Sequence, residues 1–440
     1  MLQLAAVLFL AQTAPMTLQD CVREGLRRHP SLQLSQAGIE SARAQKLGTR
    51  AGYLPRLDLS IRDSYTYSGR QEGQRMVIGG QVVPIPGREA GGNDYHVFSL
   101  SLSQNLYDGG KWWTAVERAD REIERAQASY GATREEVALG VAAAFYQMQK
   151  VARELAVWES AVEVSRGQLR LAEEKLALGA ASKVDVAMAR RALGEDEVAL
   201  ERARLSLEAA RQELNMAMGR EAMAELVLAP DDEAQAEEEL PAEVRPDHPR
   251  LREVDLARRV AEKDTAIARG DRWPRVQGSL SYSRGNEEFY KVYSRFDQLF
   301  DLTVGLSISF PVFDGFLTRA QIEQAEARER RVDAERRQIE ADLSGRLAAA
   351  RERARRLAEV ARLQAENVKA AEAELSLALE RFQVGEGTEL EVRNSQLNVT
   401  RARLSELETL FERKGVRVQY LYARGELLSR LAPGNDKEAP

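Results

Sequence analysis

Leu106-Tyr107-Asp108-Gly109 and Val312-Phe313-Asp314-Gly315 are two copies of one short motif, 206 residues apart. Keeping that separation, Gly179 falls on Gly385 without a gap. Self-similarity at a fixed separation is the signature of an internal repeat. The sequence therefore contains an internal duplication. Each half is predicted to contain a short helix, a strand, a loop, a strand, a long helix, a turn and a second helix.

Nearer the start of each half the separation is larger. His29-Pro30-Ser31-Leu32 recurs as His248-Pro249-Arg250-Leu251, 219 residues later. The separations of 219 and 206 residues differ by 13 residues. This difference lies between Arg56 and Leu106, where the first copy has a longer loop rich in Gly and Pro. The two halves therefore differ mainly in one loop.

The long helices follow from an uninterrupted apolar pattern. No proline occurs from Lys111 to Leu178, and apolar or small residues recur mainly at steps of three and four, which predicts a coiled-coil seam. A helix of ~68 residues would be roughly 100 Å long. A glycine at the end of each long helix and a Ser or Thr soon after predict a cap, a turn and a returning helix. Two helical hairpins are expected, at residues 110–219 and 315–430.

Four short segments alternate between apolar and polar residues instead. They are residues 56–68, 95–106, 275–284 and 300–311. Each has about the ~9–11 residues that cross a bilayer as a tilted strand, and the alternation is typical of membrane barrels. Taken alone, the same alternation also fits a soluble, half-buried sheet.

The number of strands decides whether such a sheet could close a membrane barrel within one chain. Lipid tolerates no open sheet edge, and membrane barrels have about eight strands or more. Four strands cannot close a barrel, so a membrane-spanning chain of this kind must oligomerise. Two copies would supply eight strands and three copies would supply twelve. No run of ~18 apolar residues occurs, so a transmembrane helix is not expected.

The charge pattern and the few Cys and His residues argue against a nucleic-acid-binding protein or an enzyme. The net charge is −6, and Arg and Glu are interspersed, which disfavours a nucleic-acid partner. The single cysteine, Cys21, is interpreted as a buried small hydrophobe. His29 and His248 precede prolines that can begin a helix, His96 is placed at the edge of a strand, and no histidine pair has metal-ligand spacing. No enzyme, cofactor or metal site is expected.

The predicted organisation has five parts. Residues 1–15 resemble a secretory signal peptide, although no Lys or Arg precedes its apolar run. They are followed by repeat 1 (16–219), an acidic inter-repeat segment (220–247), repeat 2 (248–431) and a flexible tail (432–440). The inter-repeat segment is expected to wrap the middle of the helical part. The loops at residues 69–94 and 284–299 are expected to lie outside the cell and cap the strands.

Two motifs at the ends of the long helices carry a family resemblance. Residues 171–179 (Leu-Ala-Glu-Glu-Lys-Leu-Ala-Leu-Gly) precede one turn, and residues 380–385 (Glu-Arg-Phe-Gln-Val-Gly) precede the other. With the duplicated plan and the paired strand hairpins, the chain resembles the TolC-type outer-membrane efflux protein family over residues 17–431. That resemblance implies a fold that is mainly α with a small β part, in which a homotrimer shares a 12-stranded transmembrane β-barrel in outer-membrane lipid, joined to a coiled-coil tunnel through the periplasm. It also implies two partners, a periplasmic adaptor protein and an inner-membrane transporter.

The same resemblance implies roles for particular residues. The pore and gate at the periplasmic tip would be formed by Asp185, Phe382 and Glu391. The turns that dock the adaptor would contain Gly179, Ser182, Gly385 and Thr388. Simpler interpretations stay open, because first-turn carboxylates favour a helix N-terminus in any protein and an aromatic residue can be ordinary seam core.

The predicted function is an outer-membrane channel for efflux or type I secretion. The alternative from another class is a soluble periplasmic coiled-coil adaptor or interaction protein, but adaptors usually carry one helical hairpin inside a β-rich body. The cargo and the partner pump are not readable from the sequence.

Overall fold

The computed structural model describes residues 15–78, 81–229, 240–294 and 296–432. The chain divides into two compact units. We call one the helical unit (Met1–Glu40, Glu124–Asp255 and Ala334–Pro440) and the other the sheet unit (Ser41–Ile123 and Leu256–Asp333). The predicted signal peptide, apart from Pro15, lies outside the described residues, as do residues 230–239 of the inter-repeat segment and residues 433–440 of the tail.

Most of the described chain is helical, which confirms the expectation of a mainly α protein with a small β part. The helices are α1 (Leu18–Arg28), α2 (Pro30–Ala51), α3 (Lys111–Ala177), α4 (Lys183–Ala217), α5 (Pro249–Gly270), α6 (Phe289–Tyr293), α7 (Leu317–Gln383), α8 (Glu389–Arg424) and α9 (Leu427–Leu431). The two long helices, α3 and α7, have the same length of 67 residues. Within the described ranges, no helix combines the length and apolar character needed to cross a bilayer.

The helical unit has its main core where α1, α3, α4 and α9 meet. Val141, Phe145 and Leu214 are fully buried there. Cys21 is also fully buried in this core, which confirms its interpretation as a small hydrophobe, and burial raises the pKa of its thiol to about 12. Ala432, assigned to the tail from the sequence, is buried in the same cluster and belongs to the folded part.

Part of the inter-repeat segment packs on the helical unit. Leu240 and Val244 contact a second apolar cluster formed by α7 and α8. The Tyr420 hydroxyl donates a hydrogen bond to the Pro241 carbonyl oxygen at 3.1 Å. These residues follow the undescribed part of the segment directly, so the segment is bound to the helices at its C-terminal end.

The sheet unit contains one four-stranded antiparallel sheet in the order β1-β4-β5-β6. Its strands are β1 (Arg56–Ser68), β4 (Gly91–Tyr107), β5 (Arg275–Asn286) and β6 (Asp301–Ser309). Residues that share a row across the strands have the same character. One face has the rows Leu57-Leu102-Leu280-Val304 and Leu59-Leu100-Tyr282-Leu302, and the other has Asp58-Ser101-Ser281-Thr303 and Ser60-Ser99-Ser283-Asp301.

The bounds of β4, β5 and β6 differ from the sequence predictions by a few residues, and two of these differences have a structural meaning. β6 ends at Ser309, two residues before Pro311, which lacks the N–H that a ladder requires. β4 begins at Gly91, so His96 lies inside a strand and not at its edge as predicted. It faces Asp63 of β1, with 2.7 Å between His96 Nδ1 and an Asp63 carboxylate oxygen.

The loops at residues 69–94 and 284–299 are called here the first and second outer loops, after their expected position outside the cell. Both contain structure that the sequence did not indicate. The first contains a small hairpin of β2 (Gln74–Ile78) and β3 (Gln81–Ile85). The second contains α6 and folds back onto the apolar face of the sheet, where the Phe296 ring meets Phe98 with 5.6 Å between centroids. Part of this loop therefore packs on the sheet, and the expectation that the loop caps the strands outside the cell stays a prediction.

Candidate functional sites: the helical turns and the apolar sheet face

The turn between α3 and α4 is built by one glycine and one capping box. Gly179 has a φ of 74°, a left-handed conformation that ends a helix without steric cost. Ser182 is the N-cap of α4, and its Oγ accepts a hydrogen bond from the Asp185 N–H at 3.2 Å. The Asp185 carboxylate accepts from the Ser182 N–H and hydroxyl, both at 2.8 Å, and these bonds hold the pKa of that carboxyl below its ordinary value.

The turn between α7 and α8 has the same construction with looser bonds. Gly385 has a φ of 83°, and Thr388 is the N-cap of α8. The Thr388 Oγ1 accepts from the Glu391 N–H at 3.3 Å, and the Glu391 carboxylate accepts from the Thr388 N–H at 3.4 Å. Both predicted tip carboxylates, Asp185 and Glu391, are thus bonded to their own helix starts.

The ends of the two long helices are joined through Phe382. Lys175 of α3 donates a hydrogen bond to the Phe382 carbonyl oxygen at 2.8 Å. Its ammonium group lies 3.6 Å from the centroid of the Phe382 ring, which is cation–π geometry. Phe382 therefore takes part in a contact between the two hairpins of one chain, which ordinary seam packing would not require.

A buried carboxyl lies beside this contact. Glu389, the first residue of α8, is buried, and its Oε2 has no hydrogen-bond partner among the described residues. Burial raises the pKa of the Glu389 carboxyl, and the negative charge of Asp185 raises it further, while Lys175 opposes the shift. Glu389 is thus a buried carboxyl with a raised pKa at the start of α8.

Further from the turns, a buried polar network links the hairpins. The Arg393 guanidinium of α8 forms two hydrogen bonds to the Asp196 carboxylate of α4, at 2.7 and 3.0 Å. Ser165 of α3 donates to the same carboxylate at 2.5 Å, and the Gln396 side-chain amide donates to Ser165 at 2.7 Å. The Arg393 and Asp196 side chains are 9% and 5% exposed, so solvent hardly screens this pair.

The sequence predicted the two turns, but it did not predict the side-chain contacts that link the two hairpins near them. Lys175 lies inside the quoted motif at residues 171–179, yet nothing in that motif indicates what its ammonium contacts. The Arg393–Asp196 pair joins positions 197 residues apart, a separation that helical periodicity cannot reveal. A charged residue at a seam position was the one signal that could have suggested it.

The sheet unit offers a second candidate site of a different kind. The apolar face described above is solvent-exposed in the single chain: Leu57 is 63% exposed and Val304 is 77% exposed. Exposed apolar surface of this extent marks an interaction site. β1 and β6 also each have one edge without a strand partner in the described part of the chain.

Comparison with known protein families shows to which family the chain belongs. The family described as "Outer membrane efflux protein" matches residues 22–220 and 240–414. The chain belongs to the outer membrane efflux protein family. This confirms the resemblance seen in the two turn motifs and the duplicated plan.

Individual relatives agree with this membership. Protein CyaE of Bordetella pertussis is 25% identical over 325 residues, which is 72% of this chain and 65% of CyaE. The chain thus matches just under two thirds of the length of that relative. Among solved structures, the fold is similar to CusC (TM-score 0.78, 17% identity, 93% of this chain and 92% of that one). It is also similar to the CmeC outer membrane channel of Campylobacter jejuni (TM-score 0.78, 15% identity, 93% and 85%) and to VceC of Vibrio cholerae (TM-score 0.73, 19% identity, 93% and 96%).

Across the described residues, no group of three or more His, Cys, Asp or Glu side chains is arranged to hold a metal ion. The candidate sites therefore consist of the two turns, the polar links between the hairpins and the apolar face of the sheet.

Proposed function

We propose that the chain is one subunit of a trimeric, passive duct in the outer membrane. Three copies would supply a closed 12-stranded transmembrane β-barrel and a helical tunnel extending into the periplasm. The duct would carry substrate from an inner-membrane transporter and a periplasmic adaptor to the outside, and would itself perform no chemistry. In this proposal residues 1–15 are the signal peptide, and the inter-repeat segment at 220–247 wraps the middle of the helical tunnel.

The observation that supports this proposal is the sheet with an exposed apolar face and two open edges. An apolar face needs lipid, and open edges in lipid are costly because each unpaired backbone group loses several kcal/mol. Pairing β6 of one copy with β1 of the next removes every open edge when the ring closes. The Ser-rich rows on the opposite face suit a water-filled lumen.

The tip residues take their proposed roles from their positions at the helical turns. Glu391, exposed at the start of α8, would contribute one carboxylate per copy to a ring at the entrance, which favours cations. Asp185 and Phe382 would belong to the same constriction, the latter held by Lys175. Around them, Gly179, Ser182, Gly385 and Thr388 would form the surface on which the adaptor docks.

Conductance in planar lipid bilayers tests the pore role. We expect single-channel currents from the wild type with a preference for cations, and a smaller preference in Glu391→Gln. Glu386→Gln is the matched control, because Glu386 is exposed in the same turn and lies outside the proposed ring. Unchanged selectivity in Glu391→Gln would remove Glu391 from the pore, and the absence of any channel would reject the duct.

A soluble periplasmic coiled-coil adaptor remains the second candidate function. The exposed apolar rows of the sheet disfavour it, because a soluble protein would cover them. Extraction separates the two: a duct subunit requires detergent to leave the membrane fraction, whereas an adaptor of this type would be released without it.

A further inference from the structure

The second outer loop is an aromatic segment held against the sheet. We define the outer aromatic segment as residues 287–294 and 296–300. Its aromatic residues are Phe289, Tyr290, Tyr293, Phe296 and Phe300. This density is far above the 6% of aromatic residues in the whole chain, so the segment requires its own explanation.

The segment covers one end of the apolar face. The Phe289 ring meets His96 edge-on at 5.4 Å, and Phe300 stacks on Tyr282 at 5.3 Å between centroids. His96 and Tyr282 alternate along their strands with the Ser-rich rows, so they point to the same side as Leu100 and Leu280. The segment therefore lies on the side that the proposed function assigns to lipid, at the end of the strands away from α5 and α7.

Arg284 fixes the segment in this position. It lies on the same face and is only 2% exposed. Its Nη2 donates hydrogen bonds to the carbonyl oxygens of Lys291 at 2.7 Å and Ser294 at 3.0 Å, and its guanidinium carbon is 5.1 Å from the centroid of the Phe296 ring. These bonds satisfy Nη2, whereas Nε and Nη1 have no hydrogen-bond partner among the described residues. The two carbonyl contacts and the Phe296 ring hold the backbone of the segment over Arg284.

The exposed surface of the segment has large apolar side chains interspersed with charged ones, which include Glu287, Glu288 and Asp297. The exposed fraction is 57% for Phe289, 64% for Tyr290 and 64% for Leu299. This surface continues into Leu302 and Val304 of β6, which are 58% and 77% exposed. Aromatic side chains with one apolar body and one polar tip prefer the boundary between lipid tails and headgroups.

We infer that the outer aromatic segment is a membrane-interface anchor, which inserts its exposed rings into the headgroup region of the lipid beside the sheet. Its partner is the lipid surface, and Arg284 is the positioning residue that holds the backbone of the segment against the lipid-facing side. This inference rests on the proposed function, because it requires the apolar face to contact lipid. It assigns the second outer loop to the membrane boundary and not to the mouth of the duct.

Nitroxide labels report the surroundings of single positions. Cys21 is buried and its thiol resists deprotonation, so labels can be attached to Tyr290→Cys, Val304→Cys and Glu72→Cys separately. In vesicles of phosphatidylcholine and phosphatidylglycerol, collisions of each label with oxygen and with a water-soluble nickel chelate are measured by power saturation. We expect positions 290 and 304 to favour oxygen, and position 72, in the first outer loop, to favour nickel.

The three labels separate the possible failures. If position 304 favours oxygen and position 290 favours nickel, the anchor is wrong while the lipid-facing sheet stands. Shielding of position 290 from both reagents would mean that a neighbouring copy covers the segment, which also overturns the anchor. Nickel preference at position 304 would reject the proposed function and the anchor with it.

The role of Arg284 is tested with the same label. In Arg284→Met, the label at position 290 should gain nickel collisions several-fold, because the two carbonyl contacts are lost. Arg284→Lys keeps a cation that can bond one carbonyl and should give a smaller gain. An unchanged label at position 304 shows that the sheet is intact in each variant. Retained oxygen preference at position 290 in Arg284→Met would remove Arg284 as the positioning residue.

Discussion

The sheet unit and the helical unit differ in which side chains they expose and which they bury. The sheet unit exposes Val304, Leu306 and Ile308, which are 77%, 64% and 66% exposed. The helical unit buries a charged pair, Arg393 and Asp196, between hairpins of the same chain. Under the proposed function, this difference reflects a sheet that contacts lipid and helices that carry their own polar partners and contact water. Each of the following predictions tests one side of that contrast.

The largest effect is expected from breaking the buried pair. Asp196→Ala removes the buried carboxylate that is hydrogen-bonded to Arg393 and leaves the guanidinium with the Glu195 carboxylate at 3.6 Å, and the loss of a buried partner costs about 3–5 kcal/mol. Thermal and denaturant unfolding of the detergent-solubilised protein, followed by far-UV circular dichroism, measures it. Glu352→Ala is the matched control, since the Arg356–Glu352 pair is 81% and 59% exposed and should contribute much less to the free energy of unfolding. Equal losses in both variants would show that the network is not a buried link.

The next effect concerns the apolar face. Val304→Arg places a charge on the lipid side of β6, and such a charge costs about 2–4 kcal/mol per chain near the middle of a bilayer. Folding into phospholipid vesicles across a urea series gives the difference. Ser307→Arg, on the opposite face of the same strand, should fold nearly as well as the wild type. If Ser307→Arg were the more damaging variant, the two faces would have been assigned the wrong way round.

The contrast between the units also explains how far sequence reasoning could go. Alternation along the strands and the seam periodicity of α3 are local patterns, and both the small sheet and the 67-residue helices follow from them. The pairing of Arg393 with Asp196, the contact of Lys175 with Phe382 and the return of α6 over Arg284 depend on residues brought together by the fold. A loop of irregular sequence gives no periodic signal, so the outer aromatic segment could not be distinguished from a solvent-exposed loop.

A smaller effect compares the two helical turns. Removing an N-cap hydroxyl costs about 0.5–2 kcal/mol of helix stability. Ser182→Ala should cost more than Thr388→Ala, because the Ser182 hydroxyl donates to the Asp185 carboxylate at 2.8 Å and accepts from the Asp185 N–H at 3.2 Å. The Thr388 hydroxyl only accepts from the Glu391 N–H, at 3.3 Å. Hydrogen exchange of the amides in the first turns of α4 and α8 measures each loss. Faster exchange in α8 than in α4 would reverse the ranking.

The smallest effect is a pH dependence of opposite sign at two carboxyls of the tip. The raised pKa of Glu389 means that its charged form destabilises the folded state at neutral pH, and that this penalty disappears as the pH falls through the folded-state pKa. Glu389→Gln should therefore be more stable than the wild type near neutral pH and equal to it in acid. Asp185, whose pKa is lowered, stabilises the fold above its ordinary pKa, so Asp185→Asn should be less stable at neutral pH and should also converge in acid. Thermal unfolding across that pH range measures both, and a destabilised Glu389→Gln at neutral pH would contradict the sign.

The mass of the purified particle is the most direct test of whether the sheet is completed by other copies in lipid. Light scattering coupled to size exclusion, with the detergent contribution subtracted, should give three chains per particle. Removal of the detergent without added lipid should precipitate the protein. A monodisperse single chain that stays dissolved after detergent removal would contradict the proposed duct.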